Sequence, residues 1–284
     1  MGTADGGGEG GGLPGSVELA WGLRARPGKG PKRTLSLEEI VDAAVRVGSA
    51  DGLAAVSMSR VAAEAGVSTM ALYRYVPSKA DLLALVLDQV IGPPPPLPDA
   101  EAGWREGMAA WAREMYAAMR KHAWLLRAPV SGPPVMPNNI AWMEAGLRYL
   151  NLTGLDAGAK VQVLLLLGEH VRAQVSLYHD LNAALSAAGT TEAEMLTGYG
   201  MMLSKVAAPD RFPELHRLLG EGVFDPSENP GDAEADFAFG TECILDGVQV
   251  LVDREAAVHE QRLPGDVGRP GPGQEDGGGG EVAG

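Results

Sequence analysis

Within the stretch Val56 to Lys79, VSMSRVAAEAGVSTMALYRYVPSK, a hydroxyl, a thioether, a phenol and a guanidinium fall on one side of a short predicted helix. They belong to Thr69, Met70, Tyr73 and Arg74, and residues three or four apart on a helix share a face. Such a face suits the base edges and phosphates of a DNA major groove better than bulk water. Leu72 and Val76 lie on the opposite side, where a core would take them.

Two helices and a tight turn must hold that face. Ser57 is the hydroxyl that a helix start prefers. Val61, Ala62 and Ala65 then recur at helical spacing. Gly66 breaks the pattern where a turn needs positive φ. Val67 turns back inward, Ser68 supplies a second N-cap, and Pro77 stops the helix that follows. Upstream, Ser36-Leu37-Glu38-Glu39 is a capping box that opens a helix running to about Gly48, and Asp51-Gly52 makes a turn. Downstream, Ser78 caps a helix that runs to about Ile91. Residues 34–91 therefore read as four short helices.

Charge singles out the same region. The net charge is −14, an unpromising total for a DNA binder. Its distribution is uneven: residues 1–19 carry −3, residues 20–90 carry +2 and residues 91–284 carry −13. A polyanion is attracted to the part that holds the helical hairpin and repelled by the remainder. Ahead of the hairpin, RARPGKGPKR spaces Arg24, Arg26, Lys29, Lys32 and Arg33 with Gly and Pro. It reads either as a solvated linker or as an arm lying along phosphates or in a minor groove.

The residues SMSRVAAEAGVS and ALYRYVPSKADLL, preceded by EEIVDAAVRVGSADGL, resemble the DNA-binding domain of TetR-type transcriptional regulators, over about residues 34–94. The resemblance implies an all-α protein, with an N-terminal helix-turn-helix domain and a larger C-terminal helical domain for ligand binding and dimerisation. It places Ser57, Met58 and Ser59 at the DNA backbone, and Ser68, the N-cap of the recognition helix, is counted among the DNA-binding residues. It places Thr69, Met70 and Ala71 at base edges, and Tyr73, Tyr75 and Lys79 at phosphates. Arg74 occupies an outer position able to read a guanine or a phosphate. The best understood family member has an amide at the Thr69 position and an arginine at the Ser59 position. Smaller groups here shift base readout toward Arg74, Tyr73 and the basic arm.

The organisation follows. Residues 1–33 form a disordered Gly-rich start and basic arm, and 34–94 the DNA-binding domain with its helix-turn-helix at 57–76. Gly92-Pro93-Pro94-Pro95-Pro96-Leu97-Pro98 is a stiff extended break. Residues 100–260 form the regulatory and dimerisation domain, and 261–284 a disordered tail. In the C-terminal part, helices are predicted over 101–121, 122–128, 139–152, 156–187, 191–208 and 233–258, with a Pro- and Gly-broken loop over 209–232. Leu164, Gly168, Val171, Val175 and Tyr178 make the stripe of the longest helix, and Phe237, Ile244, Val248 and Leu251 that of the last. These two helices are expected to build a four-helix dimer interface. Trp104, Trp111, Trp142, His170, Gln174 and Tyr178 are candidates for a small-molecule pocket, with ordinary core as the competing reading.

Other chemistries find little support. The five histidines are scattered, without H-E-x-x-H or a cysteine partner, so no metal site is expected. Ser131 lies in VSGPP, which is no nucleophile elbow. Gly10, Gly12 and Gly15 match a dinucleotide fingerprint only by chance in a Gly-rich run, and Gly28-Lys29-Gly30 lacks the frame of a phosphate loop. No enzyme activity and no cofactor are expected. The single cysteine, Cys243, excludes an internal disulfide and reads as a small buried hydrophobe. No signal peptide or membrane span is expected, which points to the cytoplasm. The expectation is a ligand-relieved repressor that binds an inverted-repeat operator as a homodimer. A helical adaptor without DNA binding, or an activator of the same fold, is the alternative.

Overall fold

Hydroxyl caps set the order of the N-terminal helices. The computed structural model describes residues 13–23, 35–128, 134–226 and 232–262. The basic arm 24–33, Ser131 and the tail from 263 lie outside the described residues. Ser36 and Glu39 form the expected capping box and open α2, Leu37–Asp51. Ser57 caps α3, Met58–Glu64, Ser68 caps α4, Thr69–Tyr75, and Ser78 caps α5, Lys79–Ile91. Each cap oxygen accepts an N–H that the first helical turn would otherwise leave without a partner. A short 3-10 turn, Leu53–Ala55, joins α2 to α3. Ahead of them, α1, Gly15–Ala20, overlaps the short helix that Val17 to Arg24 could form and begins two residues earlier, within the Gly-rich start. It packs on α5 and buries Ser16 and Val17, and that apolar contact is what orders it.

The rest of the chain is also helical. α6 spans Trp104–Arg120, and a 3-10 turn covers Ala123–Arg127. α7, Pro137–Leu150, and α8, Ala157–Ala188, complete the layer against α6. α9, Glu192–Val206, pairs with α10, Pro213–Gly220, and α11, Ala233–Arg262, returns along α6 and α8. No strand occurs among the described residues, and no described helix is long and apolar enough to cross a membrane. α10 falls inside the predicted loop 209–232. Pro213 opens α10 and does not break it, because at the first helical position proline has no N–H to lose and its φ is already helical.

Two apolar cores result. The first gathers Ile40, Val61, Leu72, Val76, Leu82 and Val86 beneath the helix-turn-helix. The second gathers Met108, Trp111, Trp142, Tyr149, Leu167 and Leu245. Trp124, Leu125 and Met136 follow the proline run in sequence yet pack in the first core. Gly48 makes room for this: a Cβ there would sit 2.2 Å from the Trp124 ring. Gly48→Ala should therefore destabilise the chain by about 1–3 kcal/mol through overpacking, read as a lower urea midpoint.

Two expectations are corrected. The α8 stripe of Leu164, Val171 and Val175 is buried in the chain's own core, so it is not free to meet a partner. Different residues stay uncovered on the outer side of α8: Val161, Leu165, Leu166 and Leu177. On α11 the uncovered residues include Phe239, 73% exposed, and Val250. Cys243 is exposed as well, because it lies on the same side of α11 as Phe239, one helical turn further on.

Candidate nucleic-acid interface and ligand cleft

α3 and α4 are joined by a turn in which Gly66 has φ +71°, with Val67 N–H bonded to Ala62 O at 2.9 Å. This geometry needs the left-handed region, which glycine enters without strain. The turn aims α4 outward, with Leu72 fully buried as its anchor. Met70 is 71% exposed and Tyr73 46%, and Arg74 and Lys79 are exposed beside them. Thr69, Ala71 and Tyr75 are partly covered, and Tyr75 also packs on the first core. Ser59 and Ser68 are exposed, and the Ser57 and Ser59 hydroxyls lie 3.3 Å apart at the start of α3. Met58, expected at the DNA backbone, is buried and belongs to the core. Of the eleven candidates from Ser57 to Lys79, six are exposed (Ser59, Ser68, Met70, Tyr73, Arg74 and Lys79), four are partly covered and Met58 is buried.

The electrostatics of this face come from pairing. Arg46 is bound to Glu64 at 2.6 Å, and Arg60 to Asp51. Among the described residues of the helix-turn-helix unit, Arg74 and Lys79 are the cations without an ion pair. Arg74 sits in the last turn of α4 and Lys79 opens α5, so the free positive charge of the unit is concentrated around the C-terminal end of the recognition helix.

The second site is an open cleft of about 350 Å³ between α6 and α11, lined in part by Arg113, Tyr116, Arg120, Glu234, Phe237 and Thr241. Phe237 is the centre of a ring stack: Tyr116 lies 4.3 Å away on one side and His170 5.4 Å on the other, all nearly parallel. The His170 ring is held by Phe237 O, 3.1 Å from Nε2, and fills the space that a Cβ on Gly240 would take. Arg120 bridges to Glu234 at 3.0 Å, and this bond holds its guanidinium above the ordinary range. Tyr178 donates to Asp236, and burial followed by this bond pushes its phenol well above the usual value. The Tyr116 hydroxyl and Gln174 Oε1 are buried without a hydrogen-bond partner.

The sequence candidates for a pocket divide here. His170 and Tyr178 gather around the Asp236–Phe237 start of α11, with Gln174 between them on α8. Trp111 and Trp142 do not line the cleft. They meet edge-on in the core at 6.0 Å, and each indole N–H is spent on a backbone carbonyl: Trp111 on Trp142 O, Trp142 on Gly92 O. Trp104 packs on the same core. Sequence reading missed Arg113, Tyr116 and Arg120. Their signal was the i, i+4 placement of Tyr116 and Arg120 on a helix already predicted.

An exposed recognition helix behind a glycine turn, joined to a helical domain with its own cleft, defines a helix-turn-helix transcriptional regulator. The comparisons agree. Residues 40–86 match the family described as bacterial regulatory proteins, tetR family, and residues 97–252 match the tetracyclin repressor-like C-terminal domain. The chain belongs to the TetR family of DNA-binding transcriptional regulators. It is 40% identical over 240 residues to the HTH-type transcriptional repressor DrrR1 of Streptomyces coeruleorubidus, covering 84% of this chain and 86% of that one. Among solved structures it resembles Streptomyces coelicolor ActR in complex with actinorhodin, at TM-score 0.60 and 27% identity over 78% of this chain and 99% of that one. It also resembles apo ActR, at TM-score 0.59 and 26% identity, with the same coverage of both chains.

Proposed function

We propose that this chain is a repressor that binds an inverted-repeat operator as a homodimer in the cytoplasm and is released by a small-molecule effector. The carrying observation is the outer face of α4, where Arg74 and Lys79 are unpaired beside exposed Met70 and Tyr73. In this reading Thr69, Met70 and Ala71 meet base edges, and Arg74 reads a base. Ser57, Ser59, Ser68, Tyr73, Tyr75 and Lys79 hold the backbone, and the arm 24–33 adds phosphate contacts. The homodimer forms through the uncovered apolar sides of α8 and α11, which sets two recognition helices about one duplex turn apart. Repression is supported by the name of the S. coeruleorubidus relative, and effector binding by the ligand-bound ActR structure. The effector seats in the α6–α11 cleft against Tyr116 and Phe237, with His170, Gln174 and Tyr178 shaping the wall behind.

Selection of bound duplexes from a random DNA pool tests this. The expected product is an inverted repeat whose binding weakens steeply with salt, and Lys79→Ala should lower the salt slope by about 1. A slope of zero would mark a protein-binding adaptor instead. Small aromatic compounds titrated into the selected complex should include at least one that releases the duplex.

A further inference from the structure

Asp88, near the end of α5, is the one charged residue that is buried among the described residues. No cation pairs with it. Its carboxylate instead accepts from the start of α7: Asn139 N and Nδ2 donate to Oδ1 at 3.0 and 2.8 Å, and Asn138 N and Nδ2 donate to Oδ2 at 3.3 and 3.2 Å. Met136, the residue that precedes α7, offers no capping side chain. The N–H groups that a helix start leaves free are thus capped from another helix, 50 residues earlier in the chain. A buried charge of this kind is kept only where its partners are held in place, and its loss leaves donors without acceptors.

The clasp is reinforced on both sides. Trp21 Nε1 donates to Val135 O at 2.8 Å, and Met136 is buried in the first core. Further along α7, the Trp142 indole bonds to Gly92 O, and Trp142 O receives the Trp111 indole from α6. α6 in turn carries Tyr116 and Arg120 into the cleft. Packed contacts therefore run from the cleft through α6 and α7 to the helix that supports the recognition hairpin.

We infer that Asp88 is a positioning residue that couples the cleft to the recognition helix, by making α5 move with the N-terminus of α7. This rests on the proposed effector-relieved function. Coupling between two sites is reciprocal, so it can be read from the DNA side without knowing the effector. The experiment is hydrogen exchange of the full-length protein with and without the duplex selected by the wild type, at saturating concentration. In the wild type, duplex should change exchange at α3 and α4 and also at least threefold in α6 and the first turns of α7. In Asp88→Ala the change at α3 and α4 should persist, and the change in α6 and α7 should disappear. Asp88→Asn, which keeps the shape and one acceptor oxygen, should fall between and serves if the alanine variant does not fold. A variant that transmits the full change to α6 overturns the inference, because a merely structural role lowers stability without cutting transmission. Duplex binding by the wild type with no change beyond α5 overturns it equally. A wild type that binds no duplex overturns the repressor reading and the inference with it.

Discussion

Glutamate in place of Leu166 or Phe239 should split the proposed homodimer and weaken operator binding on the order of a hundredfold or more. Both side chains are over half exposed in the single chain, on α8 and α11 respectively. Apolar residues left uncovered on two long neighbouring helices suit burial by a second copy, and a charge placed there would lose its hydration on association. One helix-turn-helix module meets only half of an inverted repeat, so the loss of the second removes much of the specific affinity. Size-exclusion chromatography with light scattering reads the oligomer, and fluorescence anisotropy on a selected duplex reads the affinity. A monomeric variant that bound the duplex as tightly as the wild type would contradict the dimer reading. The substitutions lie far in sequence from the recognition helix, so binding of non-specific duplex should change much less.

Arg74→Ala should cost about 1–3 kcal/mol on the selected duplex and relax the preference at one base pair. The expectation rests on pairing as much as on position. Arg46 and Arg60 are already tied to Glu64 and Asp51, whereas Arg74 has no carboxylate to leave behind. A free guanidinium at the C-terminal end of α4 can form two parallel bonds to a guanine edge. Binding to a set of single-base variants of the duplex distinguishes the outcomes. An equal loss across the set would make Arg74 a phosphate contact.

The helix-turn-helix was legible because its determinants are local. Ser36, Ser57, Ser68 and Ser78 each cap a helix within three residues of their own position. Leu72 and Val76 mark the inner side of α4 by spacing alone. Legibility fell where a choice depended on distant partners. α8 carries Leu164-Leu165-Leu166-Leu167, apolar all round, so periodicity could not say which side meets the chain's own core. Trp111 and Trp142 looked like pocket lining because aromatic rings with a polar edge suit either role. The carbonyls that take their N–H groups lie 31 and 50 residues away, beyond the reach of any spacing rule. Asp88 carries no local sign of its burial, since Asn138 and Asn139 reach it only after α7 has folded back.

The proline run carries a lesson for building hybrids of this protein. Its first residue, Gly92, is held by Trp142, and its last, Pro98, accepts the Tyr149 hydroxyl at 2.5 Å. The two anchors are seven residues apart on α7, roughly 10 Å along its axis. The run is therefore a strut cut to the length of one helix face, not slack between exchangeable parts. A reader head borrowed from another regulator and fused at these prolines would arrive without the helix that fits the strut. The graft that keeps the machinery whole is cut earlier, between α4 and α5, so that α5, the strut and α7 travel as one piece.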